Sequence, residues 1–226
     1  MKALFIGNSA TYVNEIPKTL SRLAKAVGYT IETEQITPGG CELFRHADLS
    51  AEHGQKVFAE IAKGYDIVFL QDNGNCVSTE EKRRNCTDAS RRLCDAIKKS
   101  GARACFYVRP PYGKVKAERD PFEQCRAFDE LFGEIARENE AECVYVNRAF
   151  AYAIKHLPYD LWGDDHAHTG KFGAYLIVCT FFATLFGVSA TVLDANGLNE
   201  SDALVLQRAA DKIVFDGVIP WDEESE

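Results

Sequence analysis

The sequence has no apolar run that approaches the ~20 residues needed to cross a bilayer. Its longest, residues 174–188, is interrupted by Thr180, Thr184 and Gly187 and is typical of a buried helix. The first six residues are too few for the apolar region of a signal peptide and lead directly into a polar motif. We therefore expect a cytoplasmic protein without a membrane partner.

The sequence also has no excess of basic residues. It contains 26 Lys and Arg against 34 Asp and Glu, which gives a net charge of −8. Binding to nucleic-acid phosphates requires clustered cations. The basic runs at 82–84 and 91–92 lie in segments with the pattern of solvated helices. We therefore expect no nucleic-acid partner.

No C-x-x-C pair occurs among the eight cysteines, which are scattered along the chain. Structural zinc sites usually depend on such a paired spacing. Several cysteines, such as Cys105 and Cys179, lie within apolar segments, where a free thiol behaves as a small hydrophobic group. The sequence predicts reduced, buried thiols, no metal site and no cofactor.

The sequence does contain a regular alternation of short apolar runs with longer helical patterns, without a linker, internal repeat or low-complexity segment. The predicted strands are 2–6, 30–36, 66–70, 102–108 and 142–146. The predicted helices are 15–27, 51–63, 79–100, 121–139, 170–186 and 200–213.

This alternation predicts parallel strands joined by right-handed crossovers. The first, third and fourth strands are almost continuously hydrophobic, as expected when both faces of a sheet are covered. We predict the α/β class: a three-layer α/β/α sandwich with a flavodoxin-like, five-stranded parallel sheet in the order 2-1-3-4-5. One domain should span residues 1–226, with an acidic tail from about residue 218 to 226.

Unusual polar residues follow three of the predicted strands. They are Gly-Asn-Ser at 7–9, Thr-Pro-Gly-Gly at 37–40 and Gln-Asp-Asn-Gly-Asn at 71–75. A fourth segment, Gly-Asp-Asp-His-Ala-His at 163–168, precedes a later helix. Ligands of such sheets bind beyond the carboxyl ends of the strands, so we expect at least the first three segments to meet there.

Together these segments supply the groups that acyl transfer requires. A serine hydroxyl becomes nucleophilic when a neighbouring base takes its proton, and the base needs an orienting partner. The oxyanion of the tetrahedral intermediate must meet fixed donors, often worth ~3–4 kcal/mol each. The backbone N–H groups of Ser9 and a glycine, together with an asparagine side chain, are suitable donors.

On these residues the chain resembles the SGNH (GDSL-like) hydrolases, a family of esterases and lipases. The resemblance spans residue 5 to about residue 176. It rests on four blocks in order: Gly-Asn-Ser at 7–9 after a strand, a glycine at 39 or 40, Asn73 after the third strand, and Asp-x-x-His at 165–168.

The resemblance implies a role for each matched residue. The nucleophile, base and orienting acid would be Ser9, His168 and Asp165. The oxyanion hole would consist of Ser9, Gly40 and Asn73, with Gly39 as the alternative to Gly40. His168 is preferred to His166 because Asp165 stands three residues before His168, whereas Gly163 stands three residues before His166.

The chain departs from the family pattern at two places. Gln71 and Gly74 replace the glycine and aspartate that flank the family's asparagine, which leaves the orientation of Asn73 open. Residues 169–170, Thr-Gly, replace the Pro-Ser pair often found after the histidine. An inactive relative of the hydrolases is therefore one alternative.

Each segment also has a purely structural interpretation. Ser9 or Asn73 would then cap a helix or a turn. Residues 39–40 would form an ordinary turn, and Asp164 or Asp165 would cap the helix that follows Thr169. The remaining histidines, expected to have no role, are His46, His53 and His156.

Three further residues are candidates for substrate binding. Arg109 and Tyr112 follow the fourth strand, and with the loop through Asp120 they should overhang the site. Arg109 would either bind an acidic group of a substrate or pair with surface acids. Trp162 would either stack on a sugar ring or pack its own loop.

The leading interpretation is a serine esterase that removes a short acyl group, such as acetyl, from a carbohydrate or small metabolite. No hydrophobic insertion resembling a lipase lid is present. The alternative from another class is a non-catalytic flavodoxin-like module that binds a nucleotide or phosphate at the first loop. That loop lacks the glycine spacing of known phosphate-binding motifs. The sequence does not indicate an oligomeric state.

Overall fold

The computed structural model describes residues 1–114 and 119–222 and has a five-stranded parallel sheet at its centre. The strands are β1 (Lys2–Ile6), β2 (Glu32–Ile36), β3 (Ile67–Leu70), β4 (Arg103–Tyr107) and β5 (Glu142–Val144). Their order is β2-β1-β3-β4-β5, and every pair is parallel. The predicted fold class and strand order are confirmed.

Helices connect the strands and cover the sheet. Those of the described residues are α1 (Ser9–Tyr12), α2 (Ile16–Ala26), α3 (Leu43–His46), α4 (Glu52–Ile61), α5 (Glu80–Lys99), α6 (Pro121–Glu138), α7 (Val146–His156), α8 (Lys171–Phe186) and α9 (Glu200–Val214).

Two hydrophobic cores lie on opposite faces of the sheet. On one face, Phe5, Phe69 and Tyr107 pack against α8, whose Phe181 lies 5.0–5.7 Å from these three rings. On the other face, alternate strand residues pack against α3, α4, α5 and α6. Burial of one such aromatic side chain stabilises the fold by about 1.5–3 kcal/mol. Both faces are apolar, which explains the continuous hydrophobicity of the central strands.

The last strand is shorter than predicted, and a helix that was not predicted follows it. β5 ends at Val144, and α7 begins at Val146 after a turn at Tyr145. Val146 and Phe150 are fully buried beneath α8 and α9. The predicted extension of the strand to residue 146 is therefore wrong, because burial of an amphipathic helix outweighs the local β propensity of the Val-Tyr-Val segment.

All eight cysteines are free and lie buried or half-buried, as predicted. Among residues 1–114 and 119–222, no helix combines the length and the apolar character that crossing a bilayer requires. The predicted acidic tail lies partly outside the described residues, which end at Asp222.

Candidate active site

Ser9 lies just beyond the carboxyl end of β1, at the start of α1. The cap of this helix is Asn8, whose Oδ1 accepts the Ala10 N–H at 3.1 Å. The Ser9 hydroxyl is therefore not needed as a cap and is free for another partner. The same bond uses an N–H that a phosphate would require, and α1 is a single turn, so the geometry does not favour phosphate binding here.

The Ser9 hydroxyl, the His168 imidazole and the Asp165 carboxylate form a hydrogen-bonded chain. Ser9 Oγ lies 2.8 Å from Nε2 of His168, and Nδ1 of His168 lies 2.6 Å from Oδ2 of Asp165. Because the carboxylate is an acceptor, Nδ1 carries the proton and Nε2 presents its lone pair to the hydroxyl. This arrangement can remove the proton from Ser9 as the oxygen attacks a carbonyl carbon.

Asp165 is fixed by its own loop rather than by a neighbouring strand. Its Oδ1 accepts the backbone N–H groups of Ala167 and His168, each at 2.9 Å. The His168 N–H and then its imidazole hold the pKa of Asp165 well below its ordinary range, so the carboxylate is ionised at neutral pH. Its side chain is 54% exposed, and water therefore screens the pair. The carboxylate serves to orient the imidazole more than to stabilise the fold.

The other histidine of this loop, His166, has a different environment. His166 has a positive φ of 51°, and its carbonyl accepts the N–H of Gly113 at 2.8 Å. The structure therefore brings His168, and not His166, to the Ser9 hydroxyl. Asp165 does not cap α8, whose N-cap is Gly170 without a side-chain bond.

The three predicted oxyanion donors, Ser9, Gly40 and Asn73, line one cavity. Within the described residues, neither the Ser9 N–H nor the Gly40 N–H donates a hydrogen bond to the protein. Gly40 has a φ of +65°, which favours glycine. Gly40 lines the cavity whereas Gly39 lies beside the Tyr12 hydroxyl, so the geometry favours Gly40 as the donor.

Asn73 holds its carboxamide in place through several contacts. Its Oδ1 accepts the Asn75 N–H at 3.1 Å and the Tyr112 hydroxyl at 3.2 Å. Its Nδ2 lies 3.4 Å from the Gly40 carbonyl oxygen, and the residue lines the cavity. Asn73 therefore does cap a turn, but through the oxygen alone. The amide nitrogen donates one N–H to the Gly40 carbonyl oxygen, and its second N–H is left as a donor beside Gly40 and Ser9.

The two departures in the third block have structural explanations. Gln71 is buried, and its Oε1 accepts the Asn8 N–H and the Thr11 hydroxyl, each at 3.0 Å, which ties the third block to the first. At Gly74, an added Cβ would lie 2.4 Å from Nη1 of Arg109, so a side chain here would have to displace the side chains of Arg109 and Tyr112. The sequence analysis did not predict the role of Gln71. The one sequence feature that points to this role is the position of Gln71 directly after β3.

A cavity of about 670 Å³ opens beside Ser9. Its lining residues are Asn8, Ser9, Ala10, Gly40, Asn73, Gly74, Asn75, Val77, Ser78, Arg109, Tyr112, Arg119, Gln124, Ala167 and His168. Arg109 and Tyr112 are thus at the cavity as predicted. Gln124 was missed; its carboxamide bonds both backbone groups of Tyr112, at 3.1 and 3.2 Å.

Trp162 does not line this cavity. Its indole N–H donates to the Pro111 carbonyl oxygen at 3.0 Å, and its ring packs edge-on against Phe150. An isolated bridge to Thr169 closes the segment that carries Asp165 and His168. Of the two interpretations of Trp162, the structure supports packing of the loop that carries Asp165 and His168.

Two groups of side chains lie close enough to share a metal ion. They are Cys41, His46 and His53, and Asp72, Cys76 and Cys86. Their spacing along the chain matches no metal motif, so sequence reasoning missed them. In the first group, Nε2 of His46 donates to the Gly7 carbonyl oxygen at 2.9 Å, which leaves Nδ1 to accept from His53 at 3.0 Å.

These hydrogen bonds give both histidines of the first group a structural role. Burial lowers the pKa of His46 to about 4, so its ring is neutral and holds the turn just before Asn8 and Ser9. In the second group, Oδ1 of Asp72 accepts the N–H groups of Leu43 and Asn73, at 2.8 and 2.7 Å. Both ring nitrogens of His46 and Oδ1 of Asp72 are therefore already bonded to protein atoms.

No sequence-family model matches the chain, and no curated protein matches it. Comparison with solved structures does find similar folds. A DUF4886 family protein from Bacteroides uniformis has a TM-score of 0.81 at 16% identity, over 97% of this chain and 96% of that one. A proposed SGNH hydrolase from Slackia heliotrinireducens has a TM-score of 0.67 at 22% identity, over 82% of this chain and 98% of that one.

The acetylxylan esterase Axe2 from Geobacillus stearothermophilus is also similar, with a TM-score of 0.62 at 18% identity, over 80% of this chain and 91% of that one. Identities this low establish the fold and leave the activity to be argued from the site. The predicted resemblance is confirmed at that level: this chain has the three-layer α/β/α fold of the SGNH hydrolases.

Proposed function

We propose that the protein is a serine esterase that acts through an acyl-enzyme intermediate. The observation that carries the proposal is the chain from Ser9 Oγ through the His168 imidazole to Asp165, with bonds of 2.8 and 2.6 Å. The Ser9 hydroxyl lies beyond the carboxyl end of β1, on the edge of the sheet where ligands of such folds bind.

In the proposed acylation step, Ser9 Oγ attacks the ester carbonyl carbon while Nε2 of His168 takes its proton. Asp165 stabilises the imidazolium that forms. The N–H groups of Ser9 and Gly40 and the amide of Asn73 then meet the oxyanion. The imidazolium returns the proton to the departing alcohol. Water then attacks the acyl-enzyme carbonyl carbon while Nε2 of His168 takes a proton from it, and the imidazolium returns that proton to Ser9 Oγ as the acid is released.

We propose a short acyl group, such as acetyl. Most residues that line the cavity are polar or glycine, with Ala10, Val77 and Ala167 as its aliphatic members. A long hydrocarbon chain gains ~0.8 kcal/mol for each CH₂ that it buries, and among the described residues the wall presents three short aliphatic side chains for such burial. The fold shared with an acetylxylan esterase fits the same class of substrate.

A series of 4-nitrophenyl esters from acetate to decanoate tests this function. We expect kcat/KM to be highest for acetate and to fall as the acyl chain lengthens. The rate should be the same with and without EDTA, because no proposed catalytic group requires a metal. Failure to hydrolyse any of these esters would contradict the proposed function, whereas a preference for decanoate would contradict only the short acyl group.

Asn73→Ala should lower kcat by about 10²–10³-fold with little change in KM, because an oxyanion donor acts mainly in the transition state. The same variant removes the acceptor of the Asn75 N–H, so a stability loss on the order of 1 kcal/mol should accompany it. Steady-state kinetics and the melting temperature measure the two effects. Asn75→Ala, at an exposed neighbour on the same cavity, is the matched control. An Asn73→Ala variant with full kcat would exclude the donor role.

A further inference from the structure

The cavity beside Ser9 differs in charge from the rest of the protein. Acidic residues outnumber basic ones in the chain by 34 to 26, yet no Asp or Glu lines this cavity among the residues that the structure describes. Its two charged lining residues are Arg109 and Arg119. Among the described residues, the charges that line the cavity are therefore positive, although the protein as a whole is acidic.

Arg109 is the buried member of this pair, with 3% of its surface exposed. Its Nε donates to the carbonyl oxygen of Pro110 at 2.8 Å. No other hydrogen bond of Arg109 is found within residues 1–114 and 119–222, and no carboxylate of those residues lies within 4.0 Å of its guanidinium. The N–H donors of Nη1 and Nη2 are thus left for a partner outside the described protein.

Packing fixes the guanidinium at the cavity wall. It stacks on the Tyr112 ring at 4.2 Å, and Nη1 lies against Gly74 so closely that a Cβ there would be 2.4 Å away. Tyr112 and Gly74 both line the cavity, and Gly74 follows Asn73 in the chain. Glycine at position 74, where the family pattern has an aspartate, places no carboxylate beside Nη1.

We propose that Arg109 forms an anion subsite that binds a carboxylate of the ester substrate. A buried guanidinium without a counter-ion is energetically costly, and its planar fork matches a carboxylate with two parallel hydrogen bonds. The inference rests on the proposed esterase activity and deepens it. The substrate is then an ester that carries an acidic group near the scissile bond, such as an acylated acidic sugar or hydroxy acid.

Arg109 has a competing role that the test must separate. By stacking on Tyr112 it supports the ring whose hydroxyl donates to Asn73 at 3.2 Å. Loss of that support would lower the rate for every ester equally. Loss of an anion subsite would instead lower kcat/KM for acidic esters selectively, mainly through KM.

The test compares esters that differ only in charge. The first pair is 3-acetoxybenzoate and its neutral methyl ester, and the second is 4-nitrophenyl hydrogen succinate and 4-nitrophenyl butanoate. In at least one pair, Arg109→Gln should lower kcat/KM for the acid about 10- to 100-fold more than for the neutral ester. The pair that responds shows whether the anion lies on the alcohol or the acyl side. Arg109→Lys should recover part of the loss.

Arg91→Gln is the matched control, because it removes one exposed arginine on α5 that pairs with Asp88 at 3.1 Å. It should leave the ratio of acidic to neutral ester unchanged. An equal fall for all four esters in Arg109→Gln, or no selective fall for either acid, would overturn the anion subsite and leave the esterase proposal standing.

If no ester is hydrolysed, the esterase proposal fails and calorimetry still decides the subsite. Titration of the wild-type protein with 3-hydroxybenzoate should then show binding that Arg109→Gln weakens at least tenfold, while the neutral 3-hydroxybenzamide binds both proteins equally. Absence of 3-hydroxybenzoate binding to the wild type would overturn the subsite in that case.

Discussion

Replacing Ser9 with alanine should lower kcat for 4-nitrophenyl acetate by about 10⁴–10⁶-fold, because the proposed mechanism has no other nucleophile. The hydroxyl bonds to His168 Nε2 at 2.8 Å, while the cap of α1 is supplied by Asn8. Its removal should therefore leave the melting temperature nearly unchanged. Steady-state kinetics and a thermal melt of the same preparation measure both effects.

Ser78→Ala is the matched control for this variant. Ser78 lines the same cavity and is exposed, and its hydroxyl donates to the Asn75 carbonyl oxygen at 2.7 Å, without contact to a base. A fluorophosphonate should add one covalent group to the wild type and to Ser78→Ala but none to Ser9→Ala. An adduct that maps to Ser78, or a Ser9→Ala variant with more than about a tenth of the wild-type kcat, would remove Ser9 as the nucleophile.

The sequence was sufficient to predict the sheet and the approach of Ser9 to Asn73 for one physical reason. Parallel strands end at a common edge, so polar residues after β1 and β3 must approach one another whatever their separation in the chain. The choice between His166 and His168 also follows from local spacing. Asp165 reaches His168 within one short loop, with an acceptor bond to the His168 N–H at 2.9 Å.

Features that depend on distant partners could not be predicted in the same way. Gln71 bonds two groups of the first block, and Gly74 leaves space for the Arg109 guanidinium; neither contact has a local sequence pattern. The indole of Trp162 turns to Pro111 because the backbone there offers an acceptor. Tertiary packing sets the orientations of these side chains, and the periodicity of strands and helices in the sequence does not predict them.

The helix α7 illustrates the same limit for the fold. Its Arg148 pairs with Asp129 of α6 through two bonds of 2.6 and 3.0 Å, and Asn147 donates to the Cys125 carbonyl oxygen at 2.9 Å. These contacts join segments about twenty residues apart. The local Val-Tyr-Val sequence favours a strand, but the apolar face of the following helix packs against α6 and α8, and the chain therefore turns at Tyr145.

Asp165→Asn should lower kcat by about 10⁴-fold without unfolding the protein. The asparagine carbonyl oxygen can still accept the N–H groups of Ala167 and His168, which Oδ1 accepts now. Its NH₂ group then faces Nδ1 of His168 in place of Oδ2. Because an NH₂ group donates, Nδ1 must become the acceptor and Nε2 must carry the proton. In that tautomer the imidazole cannot accept the Ser9 proton.

Asp164→Asn is the matched control, since it removes an adjacent exposed carboxylate and the same unit of charge. It should retain nearly full kcat. Equal losses in the two variants would indicate a general charge effect on the loop. An Asp165→Asn variant within about tenfold of wild type would show that the carboxylate does not set the imidazole tautomer.

The pH dependence of stability provides an independent test of the same carboxylate. The His168 backbone N–H and imidazole lower the pKa of Asp165 in the folded protein below its unfolded value. A carboxylate shifted in this direction stabilises the fold above its unfolded pKa of ~3.9, and that contribution is lost as the pH falls towards the folded pKa. The difference between the melting temperatures of wild type and Asp165→Asn should therefore be largest near neutral pH and should shrink progressively as the pH falls below about 4. A constant difference across this range would mean that the lost stability comes from the altered hydrogen bonds of the loop and not from the ionised carboxylate.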